Sequence, residues 1–290
     1  LKILVTGSGG FIGQMLCKKL NAEGYMVLAH KKEDGDVREL KSFDKYDSER
    51  PEKVIHLAAL TFVPESWENP SKYLDVNING TRNVLEKCRL WGSEIIYPST
   101  YVYGIPEYLP INESHKVDPA NPYAYSKFVS EGLCGFYAEK YNVPALVIRP
   151  FNIYGPGQSA HFLIPTIIRQ IIDEQSKEIS LKTLKPRRDL IYIDDFIELI
   201  IKVLDFSKKK SFDLINAGSG ESFSVEEIVQ ILLEISGYNK AVIEEKEIRK
   251  SEVFEIKADI SKAKKEYNFG LKTGIREGLK QCYDHAKEKG

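Results

Sequence analysis

The chain is short of cysteine, of net charge and of long apolar runs, and each shortage removes a class of function. Four cysteines stand far apart in 290 residues, at Cys17, Cys88, Cys134 and Cys282, with no Cys-x-x-Cys pair. That spacing supports neither a disulfide framework nor a metal or redox centre, so the four are expected as reduced packing residues and no metal is expected. The 41 Lys and Arg against 42 Asp and Glu leave a formal net charge of −1, which gives no broad basic field. Nucleic acid is therefore not an expected partner. No apolar run approaches the roughly 20 residues needed to span a bilayer, and the N-terminus enters a strand pattern at once rather than a signal-peptide pattern. The expectation is a cytoplasmic protein with no membrane partner. Repeats and low-complexity tracts are missing as well.

What is present is an ordered chain, 42% hydrophobic and 29% charged, long enough for a large core and two lobes. Short apolar runs at Ile3 to Val5, Met26 to Ala29, Val54 to Leu57, Ile95 to Tyr97 and Ala145 to Ile148 read as strands. Amphipathic segments at Phe11 to Glu23, Pro70 to Trp91 and Asn121 to Tyr141 lie between them, which predicts an α/β fold: a doubly wound parallel sheet of the Rossmann type. Between Ala29 and Val54 there is space for a loop and one helix, so the usual further strand is expected to be short or absent. After Pro150 the texture changes, with a helical pattern from Leu163 to Asp173, a basic loop from Lys182 to Arg188 and a strand from Leu190 to Ile193. Asp194 and Asp195 are expected to cap a helix from Phe196 to Leu204. Ser224 and Glu227 form a capping box for a helix to Ile235, and a last helix runs from about Ile275 to Ala286. The expected division is residues 1–150 as a dinucleotide-binding domain to which 189–217 returns, with 151–188 and 218–290 as a smaller C-terminal α/β substrate lobe.

The stretch Thr6-Gly7-Ser8-Gly9-Gly10-Phe11-Ile12-Gly13 directly follows the first strand. Glycine at 7, 10 and 13 permits a tight strand-to-helix turn and removes side chains that would block phosphates. The helix N-terminus then offers N–H groups and a partial positive charge to a pyrophosphate. The spacing is Gly-x-x-Gly-x-x-Gly, not the commoner Gly-x-Gly-x-x-Gly. Alone it is compatible with a plain glycine-rich turn. Tyr123 and Lys127 stand four apart at the start of a predicted helix and so share one face. An ammonium near a phenol favours the phenolate, so Lys127 is expected to lower the Tyr123 pKa toward neutrality. Ser99 and Thr100 follow the fourth strand, at the carboxyl edge where open parallel sheets bind ligands.

These segments resemble, together, the extended short-chain dehydrogenase/reductase family. The resemblance rests on the glycine turn, His56-Leu57-Ala58-Ala59, Ser99-Thr100-Tyr101-Val102-Tyr103-Gly104, Asn121-Pro122-Tyr123-Ala124-Tyr125-Ser126-Lys127, Arg149 to Gly157 and Arg188-Asp189-Leu190-Ile191-Tyr192. It covers nearly the whole chain in order. It implies a nucleotide-sugar enzyme with Ser99, Tyr123 and Lys127 as catalytic residues, the first two at carbon 4 of the sugar. It also implies a cofactor held by Gly7, Gly10, Phe11, Ile12, Gly13, Asp36, Val37, Leu57, Ala58 and Ala59, together with Tyr123 and Lys127. Ser99, Thr100, Asn152, Arg188 and Arg249 would hold the nucleotide-diphospho-sugar, the arginines by their bidentate fit to phosphate. Structural salt bridges are the alternative for both arginines.

Two departures discriminate within the family. Members that eliminate water carry a glutamate just before the hydrophobic-Tyr-Gly triplet, whereas Thr100 and Tyr101 stand here, which disfavours a dehydratase. At the end of the second strand, where NAD-preferring members place an aspartate, this chain has His30-Lys31-Lys32. The lysines predict NADP(H) over NAD(H), and with it a reductase of a 4-keto-6-deoxy nucleotide sugar. A UDP-sugar 4-epimerase with bound NAD is the alternative, and a non-catalytic NADP-binding scaffold a third reading. The helices that carry Asn83 and Ser130 would form the four-helix seam of a homodimer, as in resembling enzymes.

Overall fold

In the computed structural model, residues 1–208, 210–245 and 253–289 are described. Strands β1 (Lys2–Thr6), β2 (Met26–His30), β3 (Lys53–His56), β4 (Glu94–Pro98), β5 (Ala145–Pro150) and β10 (Phe212–Ala217) form one sheet in the order β10-β5-β4-β3-β1-β2. All its pairings are parallel. The strand sequences explain this: each central strand is apolar on both faces, as a sheet covered on both sides requires. Ile3, Val5, Ile55, Ile96, Leu146 and Ile148 enter one core. Their neighbours Leu4, Val54, Ile95, Ala145 and Val147 enter the other, as the period of two dictates. The register pairs Thr6 with both His30 and His56, so the carboxyl ends of β1, β2 and β3 share one edge.

Helices α1 (Phe11–Ala22), α2 (Val63–Glu68), α3 (Pro70–Leu74), α4 (Gly80–Trp91) and α5 (Pro122–Tyr141) cross between these strands. The segment from Pro70 to Trp91 reads as one helix in sequence, but residues Asp75–Asn79 form a π turn between α3 and α4. Between β2 and β3 the chain makes 3-10 turns at Lys32–Asp34 and Leu40–Tyr46, so β2 is the edge of the sheet. Phe43 and Tyr46 from that segment cover His30, with the Phe43 and His30 rings stacked at 4.7 Å.

Beyond β5 come the short strands β6 (Asn152–Tyr154), β7 (Glu178–Leu181), β8 (Arg187–Arg188), β9 (Leu190–Tyr192), β11 (Phe223–Ser224) and β12 (Ala241–Glu244). They pair as β6 with β9, β7 with β12, and β8 with β11. Helices α6 (Leu163–Ile172), α8 (Val225–Ser236) and α10 (Ile275–Lys289) pack on one another, while α7 (Ile193–Lys202) packs on α1 and α9 (Ser261–Tyr267) on β10. The capping box expected at Ser224 and Glu227 is present in both directions. The cap expected from Asp194 and Asp195 is not: α7 begins earlier, at Ile193, with both aspartates in its first turn. The Asp195 carboxylate instead accepts from the Lys272 and Thr273 N–H groups, pinning the segment before α10. Cys17, Cys88, Cys134 and Cys282 are free thiols, the last three buried. No helix among the described residues is long and apolar enough to cross a membrane.

Candidate active site

The glycine turn is built by close backbone approach. Gly7 has φ +67°, and a Cβ there would lie 2.7 Å from the Ala58 nitrogen. At Gly13, inside the first turn of α1, a Cβ would lie 2.3 Å from the Gly7 carbonyl oxygen. Gly10 is the N-cap residue of α1, and its N–H donates to the Gly7 carbonyl at 3.0 Å. The N–H groups of Phe11, Ile12 and Gly13 follow in a first turn that has no intrahelical acceptors. No acidic residue stands in that turn. Ser8 Oγ is buried without a hydrogen-bond partner among the described residues. Free donors, a buried hydroxyl and space kept clear of side chains fit a bound pyrophosphate.

The residues expected around the adenosine gather at the same sheet edge. Lys31 directly follows β2, and its Cγ lies 3.6 Å from where a Gly9 Cβ would stand, so its stem lies over the glycine turn while its side chain stays exposed. Asp34 accepts from the Lys31 N–H at 2.9 Å and from Lys45 Nζ at 2.8 Å. Asp36 is gripped by Arg38, which also reaches Asp75. Val37 is buried beneath Gly80, and its carbonyl accepts from Asn83 Nδ2. Leu57, Ala58 and Ala59 leave β3 beside the turn, with the Ala58 N–H donating to Thr6 Oγ1 at 3.2 Å.

Ser99 sits just past β4. Its N–H donates to the Ile148 carbonyl at 2.7 Å, and its Oγ is buried without a partner among the described residues. Tyr123 is in the first turn of α5, which Asn121 caps by accepting from the Ala124 N–H at 2.8 Å. Burial pushes the Tyr123 phenol above its ordinary value, with the Thr100 hydroxyl pulling the other way. This reverses the direction expected from sequence. The reason lies at Lys127, whose Nζ sits over the Tyr97 ring at 4.1 Å from the centroid. Burial brings Lys127 itself down to about 7, opposed by Cys134 and Glu131. The pair shares a helix face, but desolvation is the largest influence at both groups.

A hydrogen-bonded chain beneath the site escaped the sequence reading. Thr81 Oγ1 donates to the Asn77 carbonyl at 2.6 Å, so it accepts from His56 Nε2 at 3.2 Å; His56 Nδ1 then accepts from Thr6 Oγ1 at 2.6 Å. Burial, with Lys127 second, holds His56 neutral by lowering it to about 3. Asn77 sits in the π turn and clamps Leu60 through both its N–H and its carbonyl, while donating to Ser126 Oγ at 2.8 Å. It thereby ties the loop after β3 to α5 between Tyr123 and Lys127. A local departure from α-helix at a functional site is the signal π turns give, and it is invisible in an amphipathic pattern.

On the other side of the cleft, Asn152 donates through Nδ2 to the Asp189 carbonyl at 2.9 Å. The Asp189 carboxylate is buried and accepts from the N–H groups of Ser219, Gly220 and Ala258, which fixes the strand that presents Arg188. Arg188 Nη1 donates to the Val253 carbonyl at 2.8 Å, and the guanidinium acts on the Tyr101 phenol from that position. Arg249 lies outside the described residues.

The sequence model of the NAD dependent epimerase/dehydratase family matches residues 3–218. The chain is 33% identical to a UDP-glucuronate 4-epimerase of Thermodesulfobacterium geofontis, over 98% of this chain and 96% of that protein. It is 30% identical to a GDP-6-deoxy-D-mannose reductase of Pseudomonas aeruginosa, over 84% of this chain and 83% of that protein. The fold is similar to that of RMD from Pseudomonas aeruginosa complexed with NADPH, with a TM-score of 0.92 at 27% identity, covering 100% of this chain and 99% of that one. The family match takes in the glycine turn, the Ser99 corner and the whole of α5, and the chain is an enzyme of the NAD dependent epimerase/dehydratase family.

Proposed function

We propose that the protein is an NADPH-dependent reductase acting at carbon 4 of a 4-keto-6-deoxy nucleotide-diphospho-sugar. The observation that carries this reading is the place of Lys31, with its stem on the glycine turn at the end of β2. That is where the adenosine ribose of a dinucleotide reaches, and an ammonium there attracts a 2′-phosphate that a carboxylate would repel. The Asp34 carboxylate close by is engaged by Lys45. A cofactor that is consumed and exchanged suits a reductase.

When bound, the reduced nicotinamide supplies a hydride to carbon 4. Tyr123 completes the reduction by giving its phenolic proton to the ketone oxygen, so that one hydride and one proton turn C=O into CH–OH. Burial favours this direction, because a phenol held above its ordinary value keeps its proton at neutral pH. Ser99 Oγ donates a hydrogen bond to the same oxygen, and Lys127 binds the nicotinamide ribose. Thr100 beside the phenol brings no carboxylic acid, so elimination of water lacks its acid. Asn152, Arg188 and Arg249 hold the diphosphate. The names of similar proteins, a GDP-6-deoxy-D-mannose reductase among them, support this substrate class.

Titration of the purified protein with NADPH and NADH tests the reading. NADPH is expected to bind more tightly, and Lys31→Asp to narrow the difference by about tenfold, the worth of one charge interaction of ~1.4 kcal/mol. Equal affinities in the parent would remove the support that Lys31 gives. The second reading, a UDP-sugar 4-epimerase with retained NAD, is favoured by the epimerases among the similar proteins. The third, a non-catalytic NADP-binding scaffold, is disfavoured by the intact Ser99, Tyr123 and Lys127. The same proposal includes a homodimer through α4 and α5. It also includes the two-lobe division at residue 150, with the pairing of β10 to β5 supporting the return of 189–217 to the first lobe.

A further inference from the structure

A second cleft lies between α6 and α10, closed at one end by the loop Gly155 to Gln158, with a volume of about 600 Å³. Sites for small ligands run from about 300 to 1,000 Å³. α6 lines the cleft with Pro165, Ile168, Arg169 and Ile172, and α10 lines it with Cys282, His285 and Ala286. Those spacings put each set on a single helix face. None of the described residues assigned to the cofactor or to the sugar nucleotide stands in its wall. His285 Nε2 is buried with no hydrogen-bond partner among the described residues. It lies 4.0 Å from where a Gly157 Cβ would stand, so glycine at 157, with φ +83°, keeps the space beside the ring open. Arg169 is exposed, and its guanidinium has no ion pair or hydrogen bond among the described residues. Asp173, one turn beyond Arg169, accepts from the Gln175 N–H through Oδ1 at 3.0 Å.

We propose that this cleft is a second ligand site, separate from the catalytic one, and that it takes a nucleoside phosphate. Its wall carries the three chemistries such a ligand needs. The Arg169 guanidinium and the His285 imidazole, from two different helices, fit phosphate oxygens, the guanidinium by its fork. The Asp173 carboxylate, four residues and so about 6 Å along α6, fits the hydroxyls of a ribose. The apolar surface of Pro165, Ile168, Ile172 and Ala286 fits the flat ring of a base. A bare inorganic anion would use the first of these alone and would be repelled by Asp173, while a wholly apolar ligand would leave the imidazole unpaired. Gln158 Nε2 donates to the Ile153 carbonyl at 2.9 Å, which ties the end wall to β6, the strand that carries Asn152. A ligand in the cleft thus bears on the arm that presents Asn152, which is the place of an effector. The inference goes beyond the proposed reaction and stands whichever sugar is reduced.

The test is a methyl NMR titration of the full chain, labelled at isoleucine Cδ1, with guanosine monophosphate, uridine monophosphate and inorganic phosphate. Ile168 and Ile172 report the cleft, Ile12 the glycine turn and Ile191 the strand beside Arg188, each assigned by its substitution to valine. The Ile168 and Ile172 signals are expected to shift saturably with a nucleoside monophosphate, and inorganic phosphate to bind about tenfold or more weakly. Arg169→Gln and His285→Leu each remove a hydrogen bond to a charged phosphate and are expected to weaken that binding about tenfold. Arg188→Gln is expected to leave it unchanged. Three results would overturn the proposal: methyl shifts confined to Ile12 and Ile191, cleft shifts that weaken with Arg188→Gln but not with Arg169→Gln, or inorganic phosphate binding as tightly as the nucleotides. Arg169 is exposed, so if His285→Leu does not fold, Arg169→Gln carries the comparison.

Discussion

At the scale of single residues, burial decides which groups in the site carry charge. Lys127 sits near 7 against an ordinary 10.5, because desolvation outweighs the attraction of Glu131. Between those values the unfolded chain binds a proton that the folded chain has released, so folding stability rises with pH across that window; below about 7 the full penalty applies. Lys127→Met is therefore expected to melt at least about 3 °C higher than the parent at pH 7, a gain that shrinks as pH approaches 10. Thermal melts of nucleotide-free protein across that range check it. A gain that grows with pH would contradict the sign. Tyr123 shows how far such effects can be read from sequence. The Tyr-x-x-x-Lys spacing places both groups on one face, but it carries no information about depth, and depth decides which group gives up its charge.

At the scale of elements, the glycine turn and α5 were legible because their signals are local. The apolar period fixed β1 to β5 to within a residue or two, and the capping box located α8. The Glu131–Arg149 pair, the Thr6–His56–Thr81 chain and the Asn77 clamp were not legible, because each joins side chains distant in sequence that meet only after the sheet is assembled. The start of α7 was missed because two adjacent aspartates fit both a cap and a first turn. The turn itself yields a contrast. Gly13→Ala drives a Cβ against the Gly7 carbonyl, and overpacking of this kind costs about 1–3 kcal/mol. It is expected to lower Tm by several degrees and to abolish dinucleotide binding. Gly132→Ala, in α5 where nothing lies within 4 Å, is expected to be neutral or stabilising, by up to about 1 kcal/mol. Equal effects at the two sites would show that close approach is not what the turn requires.

At the scale of the whole molecule, α5 carries Tyr125, Phe128 and Phe136 exposed along one stripe, and Tyr141 at its end. Asn83 and Ser130 face inward, bonded to Val37 and Asn77, so a seam between copies would use the aromatic face of α5. Light scattering of the eluting protein is expected to give two chains per particle, and Phe136→Glu to give one; a monomeric parent would end that part of the proposal. The central claim is net reduction at carbon 4. It is tested most directly by incubating the protein with NADPH deuterated at the transferring carbon and a GDP- or dTDP-linked 4-keto-6-deoxy sugar, with Tyr123→Phe beside it. One deuterium at carbon 4 of each product sugar, one NADPH consumed per sugar and a rate about 100-fold or more lower in the variant are expected. Interconversion of UDP-hexoses at carbon 4 with no net loss of NADPH and no reduction of the keto sugar would contradict it.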